Sequence, residues 1–326
     1  MKNRQYLLII ILLLLTACTV TPKQATPQQN TATTVLRLPT LEAVKLAGRK
    51  LKVVATTSII GDVVANVGGD AIVLTTLMGA NQDPHSYQAT PADLVALEQA
   101  DVIFVNGWQL EEQLAGMVKR NFGQKMVAIS AEITPLTLNS AEHGGVDPHV
   151  WFSIRNVAQW TRNAATIFSQ LDPDNATLYA QNRDRYLQQL GELSDEVDGL
   201  IATIPKDKRK LVTNHDAFGY FVRDYEFELI GTVIPALSTS AEPSSKQLAA
   251  LVQAMEAAGV CTLFTETTAN GALAGMISAE LTTCPDVQIL PLYSGALGTG
   301  AASTYIGLFR SNIETIISGQ SSPENA

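Results

Sequence analysis

Short runs of β-branched and other apolar residues alternate along this chain with stretches whose apolar positions recur every three or four residues. LKVVAT (51–56), AIVLTTLM (71–78), DVIFVN (101–106) and KMVAIS (125–130) have the composition of buried strands. TPADLVALEQA (90–100) is a helix with strong start signals: Thr90 can cap it, Pro91 suits the first turn, and Asp93 can complete a capping box. The alternation resumes with RKLVTNH (209–215), FELIGTV (227–233), CTLFTE (261–266) and VQILPLY (287–293) as strands. SSKQLAALVQAMEAAG (244–259) and STYIGLFRSNIETIISG (303–319) read as helices. Strand–helix alternation implies parallel sheets covered by helices.

Between the two series lies LDPDNATLYAQNRDRYLQQLGELSDEVDGLIATIP (171–205), preceded by a helical pattern over 151–168. Asp172 is a natural N-cap and Pro173 suits the first position. Tyr179, Tyr186, Leu190, Leu193, Val197, Leu200 and Ile204 form an apolar stripe. A helix of roughly thirty residues spans about 45 Å, enough to bridge two lobes. The expected fold class is therefore α/β: two similar lobes with parallel-type sheets, joined by a single long rigid helix. The cleft between such lobes is a usual ligand site.

The ends of the chain read differently. Lys2 and Arg4 precede the twelve-residue apolar run YLLIIILLLLTA, too short for a comfortable membrane span, and Cys18 follows LTA. This is a secretory signal, and its Leu-Thr-Ala-Cys ending resembles a lipobox, in which the cysteine becomes the lipidated N-terminus. Residues 19–48 begin Thr-, Pro- and Gln-rich, as a tether would. The expected organisation is signal 1–17, lipidated Cys18 and tether 18–48, first lobe 49–171, linking helix 172–204, second lobe 205–320 and tail 321–326. Without Lys2 and Arg4, 20 basic residues stand against 31 acidic ones, a net charge of −11. With no long basic run, nucleic acid is excluded as the main partner. Cys261 and Cys284 can pair in an exported chain or remain as buried thiols.

Four histidines occur, and two share a tripeptide: Asp83-Pro84-His85 and Asp147-Pro148-His149. His215 ends a predicted strand, and all three lie where a strand gives way to a loop. In open α/β sheets ligands collect at the carboxyl ends of strands. Neutral imidazoles suit a borderline cation such as zinc, the prolines stiffen the loops, and each aspartate can bond loop amides or the ring. His143, in SAEHGGVD, reads as exposed, with an accessory role at most.

These residues bring out a resemblance. VVATTSIIGDVVANVGGD, DPHSYQATPADLVALEQADVIFVNGWQLE, DPHVWFS, TNHDAFGYF and IPALSTSAEPSSKQL resemble, in order, the solute-binding proteins of zinc and manganese ABC transporters (the cluster A-I, or cluster 9, group). The likeness covers nearly all of 51–318. It implies metal held between two lobes and delivered to a membrane permease. Carried over by position, the ligands are His85, His149 and His215. Histidine at the third position marks the zinc-type members, so Zn(II) is the expected transported ligand and Mn(II) the alternative. The family's usual fourth ligand, an aspartate, is replaced by Gly295 in LYSGALGTG, and Glu266 is the best substitute ligand.

The leading expectation is a monomeric, non-enzymatic binding protein. It would be exported and lipid-anchored at the outer face of the cell membrane or in the periplasm, with an ABC permease as partner. A secreted zinc-dependent hydrolase and a surface adhesin with incidental metal binding are the alternatives. Three histidines with an open fourth position suit the hydrolase, but no HExxH motif is present.

Overall fold

The computed structural model describes residues 35–138, 145–268 and 271–320. The first lobe contains β1 (Leu51–Ala55), α1 (Ser58–Gly68), β2 (Ile72–Thr76), α2 (Pro91–Gln99), β3 (Val102–Val105), α3 (Glu112–Phe122) and β4 (Met126–Ala128). A small antiparallel pair, β5 (Thr137–Leu138) and β6 (Gly145–Val146), precedes α4 (Ile154–Leu171) and the long α5 (Ala176–Ile201). The second lobe follows with β7 (Lys210–His215), α6 (Gly219–Tyr225), β8 (Glu228–Ile234), α7 (Ser245–Ala258), β9 (Thr262–Glu266), α8 (Ala272–Glu280), β10 (Gln288–Leu292) and α9 (Tyr305–Gln320).

The two large sheets share one plan. Their strand orders are β2-β1-β3-β4 and β8-β7-β9-β10, all parallel. In each, the chain pairs its second strand on one side of the first and then crosses to the other side. Loops leaving neighbouring strands diverge at that switch, which opens a crevice at the carboxyl ends. The expected α/β class holds.

Helix starts follow local chemistry. Thr90 Oγ1 accepts from the Asp93 amide while Asp93 Oδ2 accepts from the Thr90 amide, and Pro91 opens α2, as its sequence implies. Ser244 and Gln247 make the same reciprocal box at α7, which ends at Gly259 with φ +64°. Helix α1, rich in β-branched residues, forms because Thr57 caps it and Ile59, Ile60, Val63, Val64 and Val67 bury one face.

One core runs beneath both sheets. Val53 and Phe104 from the first sheet, Trp160 and Phe168 from α4, Leu193 from α5, Phe264 from the second sheet and Phe309 from α9 belong to a single buried cluster. Helix α5, 26 residues and about 39 Å long, packs against α1 and α4 and also against α9. Each sheet turns its other face to its own helices: Val54 and Ile103 meet Leu97 and Leu114, while Val212 and Leu263 meet Leu251 and Ile277. Successive strand residues such as Val53 and Val54 thus serve different cores.

Three expectations need correction. Asp172 takes the N-cap position with Pro173 first, but of a 3-10 turn (Pro173–Asn175) that leads into α5, and its side chain makes no cap bond; its Oδ2 accepts instead from Tyr179 Oη and Asn175 Nδ2, both at 2.7 Å. Within the stripe Ile201 is buried and Leu200 only partly so, Ile204 is buried just past the end of the helix, and Asn182 joins by donating to the Val67 carbonyl. Residues 35–46 are not free tether. Leu36 accepts from the Glu132 amide, Val44 donates to the Leu171 carbonyl, and Leu38, Leu41, Val44 and Leu46 pack on the core. Composition alone missed this because the apolar residues here are spaced irregularly, without a helical or strand period. Cys261 and Cys284 are joined by a disulfide, their Cα atoms 5.5 Å apart.

Leu193→Ala should cost about 3 kcal/mol of stability, since it empties part of the helix that both lobes share. Chemical denaturation of the metal-free protein measures this, and a loss confined to one lobe would appear as a second transition.

Candidate metal centre

His85 lies in the loop from β2 to α2, His149 precedes a single 3-10 turn (Val150–Phe152) leading into α4, and His215 ends β7. The repeated tripeptide makes the same turn twice. The His85 amide donates to Asp83 Oδ1 at 3.0 Å, and the His149 amide donates to Asp147 Oδ1 at 2.9 Å. Such an Asx turn fixes the histidine backbone from two residues away, and the proline between fixes its own φ.

The three side chains come together. His149 Nε2 is 3.2 Å from His85 Nε2 and 3.2 Å from His215 Nε2. Four-coordinate zinc with Zn–N bonds of about 2.0–2.1 Å separates its nitrogens by about 3.3 Å, so the spacing suits one shared cation. The rings are only 4%, 1% and 2% exposed for His85, His149 and His215, so a bound ion would be shielded from bulk water.

Carboxylates stand behind two of the rings. His149 Nδ1 is 2.8 Å from Asp147 Oδ1. His215 Nδ1 is in close contact with Glu266 Oε1, which also accepts from the His215 amide at 3.1 Å. A proton held on Nδ1 by a carboxylate leaves the Nε2 lone pair free for a metal. Ser294 Oγ donates to Glu266 Oε2 at 2.6 Å, fixing the carboxylate in turn. Trp151 packs edge-on against the His149 ring and donates from Nε1 to the Ser294 carbonyl at 2.8 Å, tying the first lobe to the same segment of the second.

The expectation of Glu266 as a fourth ligand is not met by this geometry. Among the described residues, the converging donor atoms come from His85, His149 and His215. Strand β9 lies beside β7, with Phe264 opposite Thr213, so Glu266 ends up alongside His215 rather than across the cleft from it. Both of its oxygens are engaged there. Gly295 cannot supply the missing carboxylate either, and a side chain there would collide: a Cβ on it would lie 2.7 Å from Pro84 Cδ. His143 falls outside the described residues. Sequence reasoning did not find Ser294 or Trp151, whose roles depend on contacts between lobes; the adjacent Asp147 was visible from its tripeptide.

Electrostatics divide the set. Burial lowers the pKa of His85, and nearby His215 adds to the effect. Burial, with His215 and His85 beside it, holds His149 well below its ordinary value. Burial pulls the His215 pKa down, but the Glu266 carboxylate, with Asp83 and Asp216, pushes it up, and the net shift is upward. Burial pushes the Asp147 carboxyl up to about 8. His85 and His149 are therefore neutral at pH 7, whereas Asp147 holds a proton there that a cation must displace, and His215 gives up its own less readily than an ordinary histidine.

Residues 53–319 match the family model of ZnuA, the periplasmic zinc-uptake complex component A. The chain belongs to this family. It is 32% identical over 277 residues to the manganese-binding lipoprotein MntA of Halalkalibacterium halodurans, covering 84% of this chain and 90% of that one. It is also 32% identical over 279 residues to the zinc-binding protein TroA of Treponema pallidum, covering 83% and 89%. The solved structure of periplasmic zinc-binding TroA from Treponema pallidum superposes with a TM-score of 0.77 at 30% identity, over 84% of this chain and all (100%) of that one. A manganese-bound periplasmic metal-binding protein from Candidatus Liberibacter asiaticus gives 0.73 at 27% identity, over 83% and 100%. The chain is thus a metal-binding, substrate-binding component of an ABC importer, and the hydrolase alternative is set aside.

Metal binding near neutral pH should release protons, because a divalent charge lowers the pKa of both His215 and Asp147. Affinity should fall as pH drops below about 8, where Asp147 holds its proton in the metal-free protein. Calorimetry in buffers of different ionisation enthalpy counts the protons released.

Proposed function

We propose that this chain captures Zn(II) outside the cytoplasm and passes it to an ABC permease, with His85, His149 and His215 as the protein ligands. The observation that carries this reading is the convergence of three imidazole Nε2 atoms, joined by no carboxylate oxygen among the described residues. The nearby carboxylates Asp147 and Glu266 address the opposite, Nδ1 edges of their rings. An all-nitrogen protein set suits zinc, whereas manganese favours a larger share of oxygen. Manganese is the second reading, because relatives such as MntA are named for it. Glu266 acts as the partner that orients His215.

The rest of the chain fits delivery at a membrane surface. In this reading Cys18 carries the lipid. No helix among the described residues is long and apolar enough to cross a membrane. The protein works as a monomer and meets its permease through the lobes.

Zinc normally outcompetes manganese at nitrogen-rich sites, so relative affinity alone does not identify the physiological metal. Uptake does. Cells lacking this protein should lose high-affinity uptake of labelled zinc and keep that of manganese. The wild-type gene should restore zinc uptake and His149→Ala should not. Loss of manganese uptake alone would replace zinc with manganese in this reading. In vitro, His149→Ala should weaken zinc binding by at least about 100-fold, while Glu266→Gln should weaken it by about 10- to 100-fold. Competition against a chromophoric chelator measures both.

A further inference from the structure

The three histidines are not held alike. His149 and His215 each have a ring Nδ1 against a carboxylate of their own lobe. His85 Nδ1 makes no hydrogen bond among the described residues; Glu112 Oε1 stands 3.4 Å away on a side chain that is 36% exposed. What fixes His85 is its main chain, through the Asx turn on Asp83 Oδ1.

Asp83 is itself held from the other lobe. Its Oδ2 accepts from Ser86 Oγ at 3.1 Å and from Thr239 Oγ1 at 2.6 Å. Thr239 lies between β8 and α7 in the second lobe. The next residue, Pro84, is pressed by Gly295 of the second lobe, where only the absence of a Cβ permits the approach. Nearby, the Asn81 amide donates to the Leu297 carbonyl at 3.1 Å, and the Leu297 amide donates to Ser58 Oγ at 2.9 Å. The loop bearing the most weakly braced ligand is therefore gripped by the opposite lobe at Asn81, Asp83 and Pro84.

We propose that Thr239 is a positioning residue for metal retention: its hydroxyl holds Asp83, and through Asp83 the His85 ring, in ligating position from across the lobe boundary. The proposal rests on the three-histidine metal site. Metal is retained while this contact is made, and parting of the lobes at this point loosens His85 before it disturbs His149 or His215. A hydroxyl donating to a charged carboxylate is one of the stronger neutral-donor bonds.

The test compares zinc dissociation and association rates of the full chain with Thr239→Val, Thr239→Ser and Gly295→Ala, using an excess of chelator in stopped flow. Thr239→Val keeps the side-chain shape and removes the donor. It should release zinc roughly tenfold faster with an unchanged association rate. Thr239→Ser should restore the wild-type rate, which a loss of packing alone would not allow. Gly295→Ala, which pushes on Pro84, should also release zinc faster. Melting of the metal-free proteins shows whether each variant is folded. A wild-type release rate in Thr239→Val, or equal acceleration in Thr239→Ser, overturns the proposal. Wild-type protein that holds zinc no more tightly than His149→Ala overturns the metal-site reading and this one together.

Discussion

A continuous core beneath both sheets is the constraint on which the metal centre depends. Two of the converging histidines come from the first lobe and one from the second, yet their Nε2 atoms lie 3.2 Å apart across the two His149 contacts. Such spacing requires that the sheets be registered to a fraction of an ångström. Helix α5 supplies that registration by packing on α1 and α4 on one side and α9 on the other. Two lobes on a flexible linker would keep the ligands but lose their geometry. The loop after β2 carries His85 and the end of β7 carries His215, and these two meet at His149.

Within that frame the carboxylates do most of the chemical tuning. Asp147 and Glu266 stand at the Nδ1 edges of their rings and leave the Nε2 atoms facing one another, in a site that water barely reaches. Their own burial has a consequence for transport. Charge that is costly without a cation becomes favourable with one, so occupancy and protonation are linked. The neutral rings of His85 and His149 accept the ion readily, while His215 and Asp147 make its capture sensitive to pH.

Much of this was legible in the sequence because the relevant chemistry is local. The Asp-Pro-His turns, the Thr90 capping box and the eight large-sheet strands are written in neighbouring residues. The three histidines stood out by their scarcity and by the repeated tripeptide; His85 lies in the loop after β2, His149 follows the small β5–β6 pair, and His215 ends β7. What was not legible depends on distant contacts. Glu266 has the right residue type and the right strand end for a ligand, but the pairing of β9 with β7 turns it toward the back of His215. Helix α1 was missed because Ile and Val favour strands, and tertiary burial overrides that preference. Residues 35–46 read as tether from sequence because nothing in the local pattern shows the surface they cover.

The two Asx turns also act on entropy. Each sits in an Asp-Pro-His tripeptide whose proline already limits the unfolded chain and whose aspartate bonds only two residues on. Two of the three ligand backbones are thus narrowed by covalent structure and near-neighbour bonding before the lobes meet. Ordering them on metal capture loses correspondingly little conformational freedom, so more of the ligand-bond energy is expressed as affinity. A chain with only four histidines in 326 residues can in this way make a tight site by restricting a few of them well.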